Sequence, residues 1–264
     1  MKQVKNIKLP YIEEGLMVKD EKKPANAYVG GSQLWLSTQN GQLGGCGTAT
    51  GANILAYLAM TQTNLRPLYG YPDLKHSHFK QHMEDVYEVL KPMSLEPVHN
   101  RLPEWLREKL VPSLGIPGIA FFSKRLCRFA AKKGIHLNPV WRDQKKRPAY
   151  NTNLHLTMGR AVEYIEQGLA SGCPVAMLNG LNPGLRNIQY TRSDQTPALA
   201  TGNFQRHWVA ITGICQDLIT ENTELQVASW GYETTLILQD FWGKGYTAFI
   251  YFTDASSGAG LTDH

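Results

Sequence analysis

Apolar positions recur at helical spacing through the middle of the chain and change to strand-like patterns in its last third, with the break near Gly172. A helix is predicted from Cys46 to about Met60, where Ala49, Gly51 and Ala52 leave room for neighbouring elements to approach closely. A second covers Phe79 to Leu90 and is stopped by Pro92. A short helix follows Pro103, whose ring suits a first helical turn. A third runs from about Ile119 to Lys133 and ends at Gly134, with Lys132 and Lys133 near the negative end of the helix dipole. A fourth spans about Leu156 to Ala170, where the spacing of Val162, Ile165, Glu166 and Leu169 gives a buried stripe beside a polar face.

Beyond Gly172, the segments Pro174–Leu178, His207–Ile214, Leu225–Trp230, Thr234–Leu238 and Tyr246–Phe252 read as strands. Helices first and strands later point to the α+β class, a helical lobe packed on an antiparallel sheet, rather than to a doubly wound parallel fold. The expected organisation is a single domain over 1–254, with a helical lobe at about 46–172 and a β lobe at about 173–254. The small polar residues after Ala255 make 255–264 a frayed tail. The long stretch from Asn179 to Arg206, rich in Asn, Gly, Pro and Thr, is either a substrate wall or lid or a plain surface loop. No internal repeat or low-complexity linker is present.

Composition narrows the class without deciding it. Of 264 residues, 42% are hydrophobic and 19% charged, which fits a folded domain with a substantial core. The 27 Lys and Arg against 22 Asp and Glu leave a net charge of +5, spread along the chain. The densest basic stretches, Lys22-Lys23 and Arg142–Arg147, adjoin prolines and turn formers and read as solvated loops, so no nucleic-acid partner is expected. No apolar run approaches the ~20 residues of a membrane helix, and the first residues lack the apolar core of a secretion signal. Four cysteines lie far apart, without zinc-like pairing or a disulfide framework, so a reducing, cytoplasmic location is expected and no cofactor.

Two residues stand out chemically. Cys46 follows a glycine pair and opens the first long helix, where unpaired backbone N–H groups and the helix dipole favour a thiolate and can receive an oxyanion. His207 opens an alternating strand and is a general-base candidate that can meet Cys46 in space despite the separation in sequence. A competing constellation, His76, His78 and His82, places the last two at i, i+4 with Glu84 and Asp85 nearby. The HExxH pattern of zinc hydrolases is absent, and solvated histidines at a helix entrance are the simpler reading, so no metal is assigned.

The order Cys46-Gly47, then His207-Trp208-Val209-Ala210-Ile211-Thr212-Gly213, then Val227-Ala228-Ser229-Trp230-Gly231 resembles papain-like cysteine peptidases, a fold group that includes the bacterial peptidase domains of bacteriocin-processing transporters. The resemblance covers about 15 to 20 motif residues. It implies a thiol protease, a hydrolase that forms a thioester acyl-enzyme on Cys46, with His207 taking and returning the proton. The substrate would be a peptide or protein, cleaved at a peptide or isopeptide amide. Acyl transfer, transglutamination or deamidation on the same fold is the alternative.

The resemblance also implies an oxyanion amide six residues before the cysteine, where this chain has Asn40, flanked by Gln39 and Gln42; Asn40 or Gln42 is the expected donor beside the Cys46 N–H. Ala228 stands where the family commonly has the asparagine that orients the histidine. That substitution leaves three readings: a Cys-His dyad, a replacement group such as Ser229 or Asp240, or a binding module without catalysis. Trp230 matches the tryptophan that shields the histidine pair.

Overall fold

The computed structural model describes residues 4–23, 27–107, 113–144, 156–180, 182, 185, 188–190, 200–202, 204–217, 220 and 222–257. In chain order the elements are β1 (Val4–Lys8), α1 (Ile12–Leu16), β2 (Met17–Lys19), β3 (Ala27–Val29), α2 (Gln39–Gly44), α3 (Cys46–Thr61), α4 (His76–Tyr87), β4 (Met93–Ser94), α5 (Glu96–His99), α6 (Glu104–Arg107), β5 (Ser113–Gly115), α7 (Ile119–Lys132), β6 (Leu137–Asp143), α8 (Met158–Ala170), β7 (Val175–Asn179), β8 (Ile188–Tyr190), β9 (Ala200–Gly202), β10 (His207–Asp217), β11 (Thr223–Ser229), β12 (Tyr232–Ile237), α9 (Leu238–Phe241) and β13 (Thr247–Asp254).

A seven-stranded sheet runs β12-β11-β10-β7-β13-β6, with β1 also paired to β10, and every pairing between these strands is antiparallel. The mixed architecture of helices on an antiparallel sheet therefore agrees with the expected α+β class. β10 organises the sheet. Its first half, His207 to Ile211, pairs with β7, and its second half, Gly213 to Asp217, pairs with β1, while a register shift between Ile211 and Gly213 marks the change along β11. Strand residues His207 to Ile214 are all buried, as expected of a central strand covered on both faces.

α3 packs on β10, β11 and β7 and also meets α1, α4 and α7. Its residues from Cys46 to Ala59 are buried without exception, so it is surrounded rather than one-sided. The small residues at its start are what permit this. A Cβ on Gly47 would stand 2.5 Å from Ile116 Cγ1 and 3.2 Å from the Trp208 ring, so only glycine fits where the helix start meets the β5–α7 connection and β10. The indole of Trp208 in turn stacks on Phe122 of α7 at 4.3 Å and donates from Nε1 to the Ile116 carbonyl at 3.2 Å.

Several elements differ from expectation. Helix α4 starts three residues early, at His76, and β6 lies inside the span read as helical. β6 carries Pro139, which lacks an N–H for the ladder, but it is the last strand of the sheet order and an outer strand can accept a proline. Arg142, read as part of a solvated basic loop, sits in β6 with its guanidinium over the Tyr164 ring, and its neighbour Asp143 is buried. Residues 145–147 of that basic stretch lie outside the described residues. β1 joins the sheet through the N-terminal segment, held also by Lys5 pairing with Glu166 of α8 at 2.6 Å. Glu166 thus lies at the ion-paired edge of the α8 stripe. Within 179–206, β8 and β9 form a two-stranded ribbon, while most of that loop and residues 258–264 of the tail lie outside the described residues.

Candidate active site

Cys46 is the first residue of α3. The preceding Gly45 supplies no side-chain cap to the amides of the first turn. Cys46 lines a cavity of about 10 Å³ together with Gly31, Gln33, Asn53, His207, Ser229 and Trp230. The two residues singled out for nucleophile and base, 161 positions apart in sequence, thus open onto one space. The backbone N–H groups of Trp208, Gly47 and Cys46 all act on the sulfur and favour the thiolate. Burial acts more strongly in the opposite direction: Cys46 is only 8% exposed, and its thiol is raised above the ordinary value. The expected depressed thiol is therefore not the state of this closed site, because desolvation outweighs the helix terminus.

His207 begins β10 and is 6% exposed. Its Nε2 meets the Ser229 hydroxyl at 2.6 Å. The Trp230 indole stacks over the imidazole at 4.3 Å and 29°, and Phe204 closes it edge-on at 5.4 Å. Enclosed by aromatics, the ring loses hydration, and its pKa falls to about 3. At neutral pH the site holds a neutral thiol and a neutral imidazole.

Local backbone geometry accounts for this packing. Ser229 and Tyr232 pair across a tight turn in which Trp230 and Gly231 have φ of 53° and 82°. Two-residue hairpin loops favour such positive φ values because they match strand twist, but a tryptophan there is strained. The turn is pinned by the Val29 amide donating to the Gly231 carbonyl at 2.9 Å. Arg206, just before His207, is also left-handed at φ 51°. Two of three non-glycine residues with positive φ among those described therefore adjoin the His207–Ser229 pair. The cavity's opposite wall is fixed by Asn53 of α3, whose Oδ1 accepts from the Gly31 amide at 2.8 Å. Gly30, with φ of 70°, sits against that side chain and has no room for a Cβ.

The remaining predicted site residues lie elsewhere. Asn40 donates from Nδ2 to the Pro92 carbonyl at 3.1 Å, and Gln42 donates from Nε2 to the Leu36 carbonyl at 2.9 Å. Neither residue lines the cavity, although Gln33 does, and Gln33 Nε2 donates to the Gln42 carbonyl at 2.7 Å. Gln33 Oε1 is buried without a partner. Sequence reading missed Gln33 and Asn53: the first lies thirteen positions before the cysteine with no motif around it, and the second is hidden in an apolar helix. Asp240 is exposed on α9, where its carbonyl accepts from Lys244 Nζ at 2.5 Å.

The three histidines of α4 do not converge on one point. His76 packs edge-on against Trp35 at 4.4 Å, His78 contacts Asp73 at 2.6 Å, and His82 is buried with Nε2 3.2 Å from the Ala52 carbonyl. Among the described residues no group of three or more His, Cys, Asp or Glu side chains is gathered as a metal would need. No helix of the described residues is long and apolar enough to cross a membrane.

No family model matches this chain, and no curated protein matches it in sequence. Among solved structures, the crystal structure of UfSP from C. elegans aligns with a TM-score of 0.43 at 10% sequence identity. The alignment covers 96% of this chain and 35% of that one, so this chain spans about a third of the length of its structural neighbour. That likeness assigns no role to any residue of the site.

Proposed function

We propose that this protein is a papain-like cysteine hydrolase that cleaves a peptide or isopeptide amide through a thioester on Cys46. The observation that carries the reading is the cavity that Cys46 and His207 both line, with three backbone N–H groups acting on the sulfur and the Ser229 hydroxyl 2.6 Å from the imidazole Nε2. A neutral imidazole has one N–H. With Nε2–H donating to the Ser229 hydroxyl, Nδ1 is the basic nitrogen, and Ser229 fulfils the orienting role that Ala228 cannot.

The chemistry follows from these states. As sulfur attacks the substrate carbonyl, its proton passes to Nδ1, so thiolate and imidazolium form during attack rather than at rest. The amides of Cys46, Gly47 and Trp208 lie where negative charge gathers, and Gln33, from the cavity wall, is the side-chain amide best placed to add to them. This reading moves the oxyanion role from Asn40 and Gln42, which do not line the cavity, to Gln33, which does and whose Nε2 has a second N–H to offer beside the one given to the Gln42 carbonyl. The C–N bond then breaks as the imidazolium protonates the leaving amine, and water, deprotonated by His207, releases the acid. An amine in place of that water gives acyl transfer, and a glutamine side-chain amide as substrate gives deamidation or transglutamination. Trp230 shields the His207 ring. Four free cysteines suit a reducing, cytoplasmic location.

The cavity has room for about one water molecule, so catalysis requires displacement of a wall. The same closure favours a second reading, a binding module that keeps the fold without turnover. Peptide and isopeptide libraries analysed by mass spectrometry separate the two. Cleavage products, amine adducts or ammonia loss that vanish in both Cys46→Ala and His207→Ala support the catalytic reading and identify its reaction. Unchanged libraries with retained peptide binding refute it.

A further inference from the structure

Asn179 ends β7 directly opposite His207 on β10, and its other neighbour across the sheet is Thr247 on β13. Residues directly opposite in a sheet project from the same face with Cβ atoms roughly 4.5–5.5 Å apart. His207, Asn179 and Thr247 therefore form a polar row across three strands otherwise filled by apolar side chains. Asn179 and Thr247 are each 0% exposed. Both the Oδ1 and the Nδ2 of Asn179, and the Oγ1 of Thr247, are buried without a hydrogen-bond partner.

Such groups are costly to bury: each unpaired polar group opposes folding by about 1–3 kcal/mol, and a leucine of similar size would avoid that cost. The resting site contains no use for them. The neutral His207 ring has one N–H, which the hydrolase reading assigns to Nε2, against the Ser229 hydroxyl. The ring acquires a second N–H and a positive charge only when it takes the thiol proton. Cys46 is the titratable side chain that shares its cavity, Arg206 precedes it in the chain and is exposed, and Ser229, Trp230 and Phe204 pack the ring from the sheet and turn side. None of these offers a carboxylate.

We propose that Asn179, supported by Thr247, is a positioning residue for His207, whose unpaired amide carbonyl turns to the imidazole when the ring becomes protonated and stabilises that cation. This rests on the hydrolase reading for its catalytic consequence, although the coupling between Asn179 and His207 exists without it. The row explains how a histidine enclosed by aromatics can still accept a proton during attack: the stabilising dipole is already desolvated and lies one strand away.

Two variants test the assignment. In Asn179→Asp, a carboxylate replaces the amide, and ¹⁵N NMR of labelled histidine should show the His207 pKa raised by about 1–3 units, within reach of titration above pH 4. Asn179→Leu removes the unpaired atoms; it should leave the fold as stable or more stable, and slow acylation of Cys46 by an activated ester about tenfold. A structural role alone would give the stability gain with acylation unchanged, and that result overturns the proposal. So does a His207 titration in Asn179→Asp that moves by less than about 0.3 unit. If Cys46 of the wild-type protein is not acylated at all, the hydrolase reading fails while the NMR shift still decides the coupling. If Asn179→Asp does not fold, the acylation rate of Asn179→Leu decides.

Discussion

Alkylation of Cys46 across pH measures whether the resting site is a neutral pair or a preformed ion pair. Burial raises the thiol above 9.0, so less than about 1 in 100 molecules carries the thiolate at pH 7. His207, at about 3, is protonated in only about 1 in 10⁴ at that pH. Because iodoacetamide reacts with thiolate, the rate at Cys46 should climb about tenfold per pH unit from 6 to 9 and show no acidic plateau. Occlusion slows it further, so Cys46 should label more slowly than the half-buried Cys215 at neutral pH. Quenched samples, digested and quantified peptide by peptide, give both rates from one experiment. A flat rate between about pH 4 and 8 at Cys46 would refute the reasoning, because only a thiolate stabilised by imidazolium keeps its reactivity far below the thiol pKa. It would mean that the amides and the histidine overcome desolvation in solution.

Ser229→Ala leaves His207 Nε2 buried without its partner, and should lower stability by about 1–3 kcal/mol and reduce any Cys46-dependent turnover; urea unfolding and the library assay check both. Trp230→Ala opens the face of the imidazole to water, so the His207 pKa should rise toward 6.5 in NMR titration. The two buried histidines, His82 and His207, both fall to about 3 in the folded protein from 6.5. The unfolded chain therefore binds protons that the folded chain refuses, and stability should drop as pH falls from about 6.5 toward 3. The loss is about 2 kcal/mol per histidine between pH 7 and 5, readable by urea titration at the two pH values, and equal stability at both would contradict it. Gly47→Ala forces a methyl group against Ile116 and Trp208, and should lower the melting temperature while distorting the cavity, as followed by calorimetry and by Cys46 labelling.

Helices α3, α7 and α8 and strands β7, β10, β11, β12 and β13 were legible because each carries a sustained pattern of its own, bounded by glycine, proline or a polar cap. β1 and β6 were not. β1 is mostly exposed, and β6 holds a proline, so neither shows the alternation of a buried strand; both form because β10 and β13 present open backbone groups to them. The same division runs through the candidate site. Cys46 and His207 could be singled out because a helix start and a strand start are written locally, whereas Gln33 and Asn53 reach the candidate cavity, and Asn179 its place opposite His207, through packing or register with distant segments.

The chain by itself singled out Cys46 and His207 as candidates and determined the class of elements that carry them, since hydrophobic period and terminal chemistry are local properties. Only the tertiary structure decided their protonation. A helix N-terminus favours a thiolate, but the surrounding sheet and the Trp230 turn remove the water on which that charge depends, and desolvation depends on every segment that folds around the sulfur.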